Sequence, residues 1–242
     1  MNNAVIYDLG IDIGSTTAKA VLTDGNAPVY ERYERHNSAV REKTVGILRD
    51  MLKEKGDIYV RAALSGSAAL GLASETLGLP FVQEVVAASR AIAVLAPQTD
   101  VAVELGGEDA KMIFVDKNGG LDERMNGTCA GGTGAFIDQM ATLLNVTAGE
   151  FDELSLQAEK AYPIASRCGV FAKSDIQPLL NQCAKKSDVA ASVYKAVVTQ
   201  TIAGLARGKK IEGKVLFLGG PLYYLKGLQK AFKETLKLSD EN

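Results

Sequence analysis

A short pattern occurs twice in this chain of 242 residues and constrains its fold more than any other feature. An acidic residue ends an apolar run, a glycine turn follows, and an Ala-Lys pair opens the return strand. The surrounding strand–turn–strand–turn–strand pattern also recurs, so we predict an internal duplication with two similar α/β halves, over residues 1–97 and 98–242, that face each other. The first copy comprises Asp12, Gly14, Ala18, Lys19 and Asp24, and the second, at one constant offset, comprises Glu104, Gly106, Ala110, Lys111 and Asp116.

The elements predicted around the two copies alternate between strands and helices. Apolar β-branched runs bounded by turn residues indicate strands, and apolar residues at helical spacing indicate helices. Ser38 is the expected N-cap of the first helix, which Gly56 ends. The predicted strands are 6–13, 18–22, 29–33, 58–64, 81–83, 100–104, 110–116 and 215–218, and the remaining predicted helices are 68–77, 85–95, 135–144, 148–161, 174–184, 188–207 and 222–238.

Charge and composition exclude several functions. The formal net charge of −2 and the absence of a Lys/Arg cluster interleaved with aromatic residues give no electrostatic case for a nucleic-acid partner. The first residues lack a signal-peptide pattern and no apolar run is long enough to span a membrane, so we expect a cytoplasmic protein with no membrane partner. Because His36 is the one histidine, the sequence argues against Ser-His-Asp, Cys-His or histidine-rich metal chemistry.

Each copy of the repeat predicts a turn that can hold a phosphate, because N–H groups and hydroxyls in a glycine turn suit an anion. Asp12 and Glu104 are the candidates to hold Mg²⁺ or to orient an attacking water, although each alone could be a strand-end cap. Lys19 and Lys111 are either phosphate contacts or solvated strand residues, and solvation is favoured for Lys111. The candidate phosphate ligands are Gly14, Ser15, Thr16 and Thr17 in the first turn and Gly106 and Gly107 in the second.

Two cysteines lie in glycine-flanked loops that run into predicted helices. An anion, or a thiolate bound to a metal, is stabilised at a helix N-terminus, which makes Cys129 and Cys168 candidate metal ligands. Cys183 is interpreted as a small apolar residue on the buried face of its helix. Two thiols cannot complete a four-thiolate zinc or iron–sulfur site, whereas a twofold dimer would supply four. The spacing matches no compact cysteine motif, so the residues alone leave the ligand open.

Five segments together resemble one family: 10–19, 104–111, 126–138, 168–175 and 218–221. The combination is similar to the activators of 2-hydroxyacyl-CoA dehydratases, an ATPase family shared with subunits of ATP-dependent benzoyl-CoA reductase, within the actin, sugar kinase and Hsp70 superfamily. The resemblance covers nearly the whole chain. It implies a duplicated ribonuclease H-like, actin-like ATPase fold, with mixed sheets flanked by helices and a nucleotide cleft between the halves.

The resemblance also implies a function, which is ATP-driven electron transfer. Family members are homodimers that hold one [4Fe–4S] cluster between subunits, and by motif its ligands fall on Cys129 and Cys168. ATP or ADP with Mg²⁺ would bind in each subunit, with Asp12 and Glu104 serving the metal and the attacking water. The electron would come from a donor such as ferredoxin or flavodoxin and pass to a dehydratase or reductase component. The residues expected to border the nucleoside are Gly132, Thr133, Gly134, Gly219 and Gly220.

The chain departs from the family pattern in three ways. The family usually has Asp where this chain has Glu104, and Gln where it has Glu108, and the longer side chain of Glu104 would shift the position of a bound metal or water. Family members also continue beyond the last helix with a strand and a Gly/Ala-rich helix, whereas this chain stops at Asn242. Its wording is most similar to the long relatives with tandem activator domains, so we expect a fragment of a longer protein.

Two rival functions are compatible with the same motifs. A small-molecule kinase of the superfamily, such as a sugar kinase, would have no use for Cys129 and Cys168. A nucleotide-binding scaffold without turnover is permitted by Glu104 and by the missing C-terminal elements.

Overall fold

The computed structural model describes residues 5–70, 78–116, 120–126, 131–165 and 169–239. The chain divides into two compact units, Met1–Leu95 and Ala96–Asn242. Each unit has its own sheet and its own apolar core.

The first unit contains a four-stranded mixed sheet in the order β3-β2-β1-β4. Three strands form an antiparallel meander, and the fourth pairs in parallel with the first. In β2, Ala18, Ala20 and Leu22 are buried at every second position, as expected for a strand with one face on the core. Helix α1 packs Ile47 and Met51 into that core. The elements are β1 Ile6–Ile13, β2 Thr17–Thr23, β3 Pro28–Arg35, α1 Val40–Lys55, β4 Tyr59–Ser65 and α2 Glu84–Leu95.

The second unit repeats this sheet and adds helices to it. Its strand order is β7-β6-β5-β8, with the same two antiparallel pairings and the same parallel pairing as in the first unit. The central strand β6 is buried over nearly its whole length, and its Ala110, Met112 and Phe114 side chains belong to the apolar core of this unit. Its elements are β5 Val101–Leu105, β6 Ala110–Val115, β7 Leu121–Asn126, α3 Gly134–Leu143, α4 Ala148–Leu156, α5 Gly169–Asn181, α6 Lys186–Thr201, β8 Val215–Leu218, α7 Gly220–Tyr224 and α8 Lys226–Leu236.

The predicted duplication is therefore confirmed at the level of the sheets. Asp12 lies opposite Lys19 across β1 and β2, and Glu104 lies opposite Lys111 across β5 and β6, in the equivalent register. Both units follow the order β-β-β-helix-β, and the described residues between β7 and β8 form the α-helices α3, α4, α5 and α6 where the first unit has α1 between β3 and β4. The mixed-sheet α/β fold predicted from the sequence is correct.

Some predicted boundaries in the first unit are wrong. Ser38 does not cap α1, because its backbone is left-handed and Ala39 takes the N-cap position. The strand predicted over 81–83 is reduced to an isolated bridge between Phe81 and Leu64. Most of the helix predicted over 68–77 lies outside the described residues.

Two helices of the second unit also differ from prediction. Helix α4 ends at Leu156 rather than near 161, because the next amides turn to side chains of α6: the Glu159 N–H donates to Asp188 Oδ1 at 2.9 Å, and the Tyr162 N–H to Ser192 Oγ at 2.7 Å. The helix predicted over 222–238 is broken at Leu225, which has extended backbone between α7 and α8.

The N-terminus of α8 is held by a buried carboxylate. Asp152 accepts hydrogen bonds from the N–H groups of Lys226 and Gly227, at 2.8 and 2.9 Å, and from the Tyr194 hydroxyl at 3.0 Å. A carboxylate at this position satisfies orphan helix donors and favours the helix dipole. Burial of the phenol raises the pKa of Tyr194, with the charge of Asp152 adding to the effect.

Helix α6 continues into a π-helical segment, Ile202–Ala206. Arg124 of β7 satisfies the carbonyls at the end of this segment, since its Nη1 donates to Leu205 O at 3.2 Å and also to Ala206 O. Among the described helices, Lys186–Ala206 is long and apolar enough to cross a membrane, but 61% of its apolar window is buried inside the protein. Such burial is typical of a core helix.

Candidate functional site

The carboxylate of each hairpin is paired with the lysine opposite it. Lys19 Nζ lies 2.5 Å from Asp12 Oδ2, and both side chains remain partly open to solvent. Lys111 Nζ lies 3.4 Å from Glu104 Oε1 and 2.7 Å from Asp109 Oδ2. Glu104, one methylene longer than Asp12, thus lies farther from its lysine than Asp12 does. Asp109 provides the closer carboxylate for Lys111.

The prediction that Lys111 is a solvated strand residue is wrong. Its side chain is only 3% exposed, while those of Glu104 and Asp109 are 23% and 30% exposed. A buried ammonium requires paired acceptors, and the two carboxylates supply them. Lys111 therefore fixes the orientation of both carboxylates beside the second glycine turn.

The first glycine turn connects β1 to β2 and is closed by a backbone hydrogen bond from Gly14 N–H to Thr17 O at 3.0 Å. His36, which sequence analysis set aside, contacts this turn twice. The backbone N–H of His36 donates to Thr16 O at 3.1 Å, and the ring atom Nε2 lies 3.0 Å from Gly14 O. The pattern contained no signal for this role, because His36 is distant in sequence and belongs to no repeat position that was recognised.

Gly66, at the end of β4, is a second residue of the candidate site that sequence reasoning missed. It has φ +102°, and a Cβ there would lie 2.2 Å from Ile13 O and 2.6 Å from Asp12 Oδ1. Only glycine permits this approach to the first carboxylate. Gly219 is its counterpart at the end of β8, but the helices between β7 and β8 break the constant offset of the repeat, so the correspondence was hidden.

The second glycine turn meets the start of helix α3. Gly134 N–H donates to Gly106 O at 3.0 Å, and Ala135 N–H donates to Gly107 O at 2.8 Å. A Cβ on Gly134 would be 3.1 Å from Pro221 Cγ and 3.2 Å from Gly106 O. The second turn, the N-terminus of α3 and the start of α7 are therefore in direct contact within the second unit.

The predicted nucleoside-bordering glycines have distinct structural roles. Gly219 has φ +87°, and a Cβ there would lie 2.0 Å from Leu105 O, so β8 can approach the end of β5 only with glycine at this position. Gly220 opens α7. Gly132 has φ +100° and lies against Thr201 of α6, while Thr133 is fully buried at the N-cap of α3. The predicted segments at 106–107, 132–134 and 219–220 are thus neighbours in the second unit.

The two predicted metal ligands, Cys129 and Cys168, lie outside the described residues. The chain leading to Cys168 is anchored, since Ala165 N–H donates to Asp175 Oδ2 at 2.7 Å. Among the residues that the structure describes, no group of three or more His, Cys, Asp or Glu side chains is placed to hold a metal ion. The interpretation of Cys183 is wrong: it is exposed and left-handed, with φ 57°, in the turn that ends α5.

A cluster of charged side chains beside the π-helical segment connects elements of the second unit. Asp122 accepts hydrogen bonds from Arg124 Nη2 at 2.9 Å and from Lys209 Nζ at 3.1 Å, and these bonds lower the pKa of the Asp122 carboxyl. Both cations also lie over the Phe114 ring. The cluster ties β7, the strand that precedes Cys129 in the sequence, to the residues that follow the π-helical segment.

The repeated sheet, its two carboxylate–lysine hairpins and its glycine turns define the class as an actin-like ATPase fold. The chain belongs to the BadF/BadG/BcrA/BcrD ATPase family, whose profile matches residues 9–240. The (R)-2-hydroxyglutaryl-CoA dehydratase activating ATPase of Acidaminococcus fermentans is 31% identical over 229 residues, which are 89% of this chain and 83% of that protein. The activator of lactoyl-CoA dehydratase of Anaerotignum propionicum is 32% identical over 221 residues, which are 89% of this chain and 83% of that protein.

The fold is shared with solved structures of such proteins. The activator of the 2-hydroxyisocaproyl-CoA dehydratase from Clostridium difficile, with bound ADPNP, superposes with a TM-score of 0.84 at 25% identity. The match covers 96% of this chain and 87% of that one. The family resemblance predicted from the five sequence segments is confirmed.

Proposed function

We propose that this chain is an ATP-hydrolysing activator that passes a low-potential electron to a 2-hydroxyacyl-CoA dehydratase or a benzoyl-CoA reductase-like partner. Membership of the ATPase family and the similarity to dehydratase activators support the ATPase and activator roles. The electron-transfer role is the finer part of the proposal and depends on the two cysteine loops.

One observation carries the coupling between nucleotide and cysteine. The Gly134 and Ala135 amides at the start of α3 are bonded to the carbonyls of Gly106 and Gly107 in the second turn. Helix α3 is also the first described helix after Cys129 in the sequence. A change of phosphate occupancy at the turn therefore acts on the first residues of the helix, and through them on the adjacent loop.

The described residues fit a nucleotide with its cation. Asp12 and Glu104 end strands with partly exposed carboxylates, oxygen ligands of the kind that Mg²⁺ prefers. In our proposal they hold the cation or orient the attacking water, while Lys19 and Lys111 fix their orientation. The turn at 14–17 and the turn at 106–107 contact phosphates, and Gly132, Thr133, Gly134, Gly219 and Gly220 border the nucleoside.

The proposed cluster ligands are Cys129 and Cys168 of each subunit in a homodimer. The donor set fits a [4Fe–4S] group by its chemistry, because two thiolates from each of two symmetry-related chains complete a four-thiolate site. The cluster would supply one-electron chemistry at low potential. The electron donor is proposed to be a ferredoxin or flavodoxin, and the compartment the cytoplasm.

Iron and sulfide analysis under anaerobic conditions tests the cluster. After reconstitution we expect about four irons per dimer. Cys129→Ser and Cys168→Ser each lose this iron, whereas Cys183→Ser, which changes an exposed thiol in a helix-ending turn, retains it. A wild-type chain that binds ATP but takes up no iron would contradict the electron-transfer role and favour a nucleotide-binding scaffold. ATP turnover that survives both cysteine substitutions and requires a phosphoryl acceptor would favour a kinase.

Steady-state ATP hydrolysis tests the carboxylates. Asp12→Asn and Glu104→Gln are expected to lower kcat by about 100-fold, the scale of losing one preorganised polar group. Asp8→Asn is the matched control, because Asp8 lies on the same strand as Asp12 but pairs with Arg61 on an exposed surface. Equal rates in wild type and Asp12→Asn would contradict the assignment.

A further inference from the structure

The one histidine of the chain lies buried immediately after β3. His36 is 5% exposed and follows Arg35, the last residue of that strand. By the constant offset of the repeat its counterpart in the second unit is Thr128, the neighbour of Cys129. The two copies of the repeat thus carry chemically distinct residues at this position of the sequence.

The hydrogen bonds of His36 fix its tautomer. Ser38 N–H donates to Nδ1 at 3.2 Å, so Nδ1 is an acceptor and carries no proton. In the neutral ring the proton is then on Nε2, which donates to Gly14 O at 3.0 Å. Asn37 and Ser38 both adopt left-handed backbone, with φ 48° and 66°, and this bend brings the Ser38 amide back to the ring.

The contacts of His36 act on the carbonyls of the first turn. Gly14 O is bound by the ring and Thr16 O by the His36 amide, while Thr17 O accepts from Gly14 N–H. Within the described part of the chain, the amides of Ser15 and Thr16 donate to no protein acceptor. Carbonyls held back in this way leave the amide side of the turn available to an anion.

We propose that His36 is a positioning residue for the first phosphate-binding turn. This inference rests on the proposed function, because it assigns His36 to the nucleotide site of an ATPase. The Nε2–H group holds Gly14 O away from the phosphate, since a carbonyl oxygen turned toward a phosphate would repel it. Loss of the donor lets the turn relax and weakens nucleotide binding.

Two substitutions at His36 separate the donor from the size of the side chain. Gln can place its amide nitrogen near the Nε2 position and donate to Gly14 O, whereas Leu fills similar space without a donor. Isothermal titration with Mg²⁺ and ADPNP is expected to give about tenfold weaker binding for His36→Leu, the equivalent of one lost hydrogen bond. His36→Gln is expected to remain within about threefold of wild type, on the same scale.

Tyr30→Phe is the matched control for stability. It removes a buried hydrogen bond, from the Tyr30 hydroxyl to Ile47 O at 2.9 Å, in the same unit but away from the turn. It is expected to lower stability without changing ADPNP affinity. A purely structural role of His36 predicts that His36→Leu behaves in the same way.

The outcomes distinguish this inference from the proposed function. Equal affinity of wild type and His36→Leu for ADPNP would overturn the inference but not the proposed function. Equally weakened affinity in the His36→Gln and His36→Leu variants would have the same meaning. A wild type that binds no nucleotide would overturn both. Nitrogen-15 NMR of the single histidine gives a readout independent of nucleotide: we expect the Nε2–H tautomer, and an Nδ1–H tautomer would refute the inference.

Discussion

Substitution of Lys111 by Met tests whether the buried lysine organises the second hairpin. The change keeps most of the apolar stem and removes the ammonium, which lies 2.7 Å from Asp109 Oδ2 and 3.4 Å from Glu104 Oε1. A hydrogen bond between charged groups contributes about 1.5–3 kcal/mol, and the longer contact adds little. Because both carboxylates keep some access to water, we expect a net loss of about 2 kcal/mol in the free energy of unfolding.

Lys19→Met is the matched control, because the repeat places the same residue in the same register of the first unit. Lys19 is 27% and Asp12 40% exposed, so this ion pair is screened by solvent. Exposed pairs contribute about 0.2–1 kcal/mol, and we expect a loss in that range for the control.

Hydrogen exchange measured by mass spectrometry resolves the two units separately. Loss of about 2 kcal/mol corresponds to a roughly 30-fold increase in the exchange rate of protected amides in β5 and β6 of the Lys111→Met variant. The equivalent strands of Lys19→Met should change by about fivefold or less. Equal effects, or a larger effect at Lys19, would refute the argument that burial makes the second pair the stronger one.

Three further substitutions test other features by urea unfolding. Gly219→Ala places a Cβ 2.0 Å from the Leu105 carbonyl oxygen and is expected to lower the free energy of unfolding by about 3 kcal/mol. The control Gly25→Ala is also at positive φ but in open space, so it should lower that free energy by about 1 kcal/mol. Similar losses in the two variants would contradict the steric argument. Cys183→Gly relieves a left-handed residue and should raise stability by about 0.5–1 kcal/mol, and a decrease would contradict this. The capping-box hydrogen bonds to Glu150, chiefly the one from the Thr147 backbone amide, lower the pKa of its carboxyl below the ordinary 4.5. The stabilisation by this carboxylate is therefore complete above that pH and is lost as the pH falls through the folded-state pKa. The difference in unfolding free energy between wild type and Glu150→Gln should vanish in acid, and a pH-independent difference would contradict this.

The sheets were predictable because their signals are local. The period-two apolar pattern of β2 and the glycine turn after Asp12 are read directly from neighbouring residues. The second copy of the pattern supported the same prediction independently. The meeting of Gly106 with Gly134 and Pro221 was expected only through family resemblance. No local pattern brings three such distant segments together, since the contact depends on how β8 pairs with β5.

The missed features are those where a tertiary contact decides the role of a residue. Lys111 looks like a solvated strand residue until Asp109 and Glu104 are seen to enclose it. His36 has no motif of its own, because its importance comes from a turn far away in the sequence. Cys183 follows the apolar periodicity of α5, but the helix ends at Asn181, before reaching it. Helix boundaries of this kind depend on hydrogen bonds that periodicity does not encode.

The connection between the third and fourth strands of each sheet has a consequence for synthesis on the ribosome. In the first unit β4 joins β1 after a single helix, whereas in the second β8 joins β5 only after helices α3 to α6 have been made. The connection from β7 to β8 is roughly four times as long as the one from β3 to β4, which adds about 1 kcal/mol to the free-energy cost of closing it. Both Cys129 and Cys168 lie inside that connection. The thiols therefore emerge from the exit tunnel before the strand that completes the sheet, and the group that we propose they bind is best delivered after β8 has left the tunnel and paired with β5.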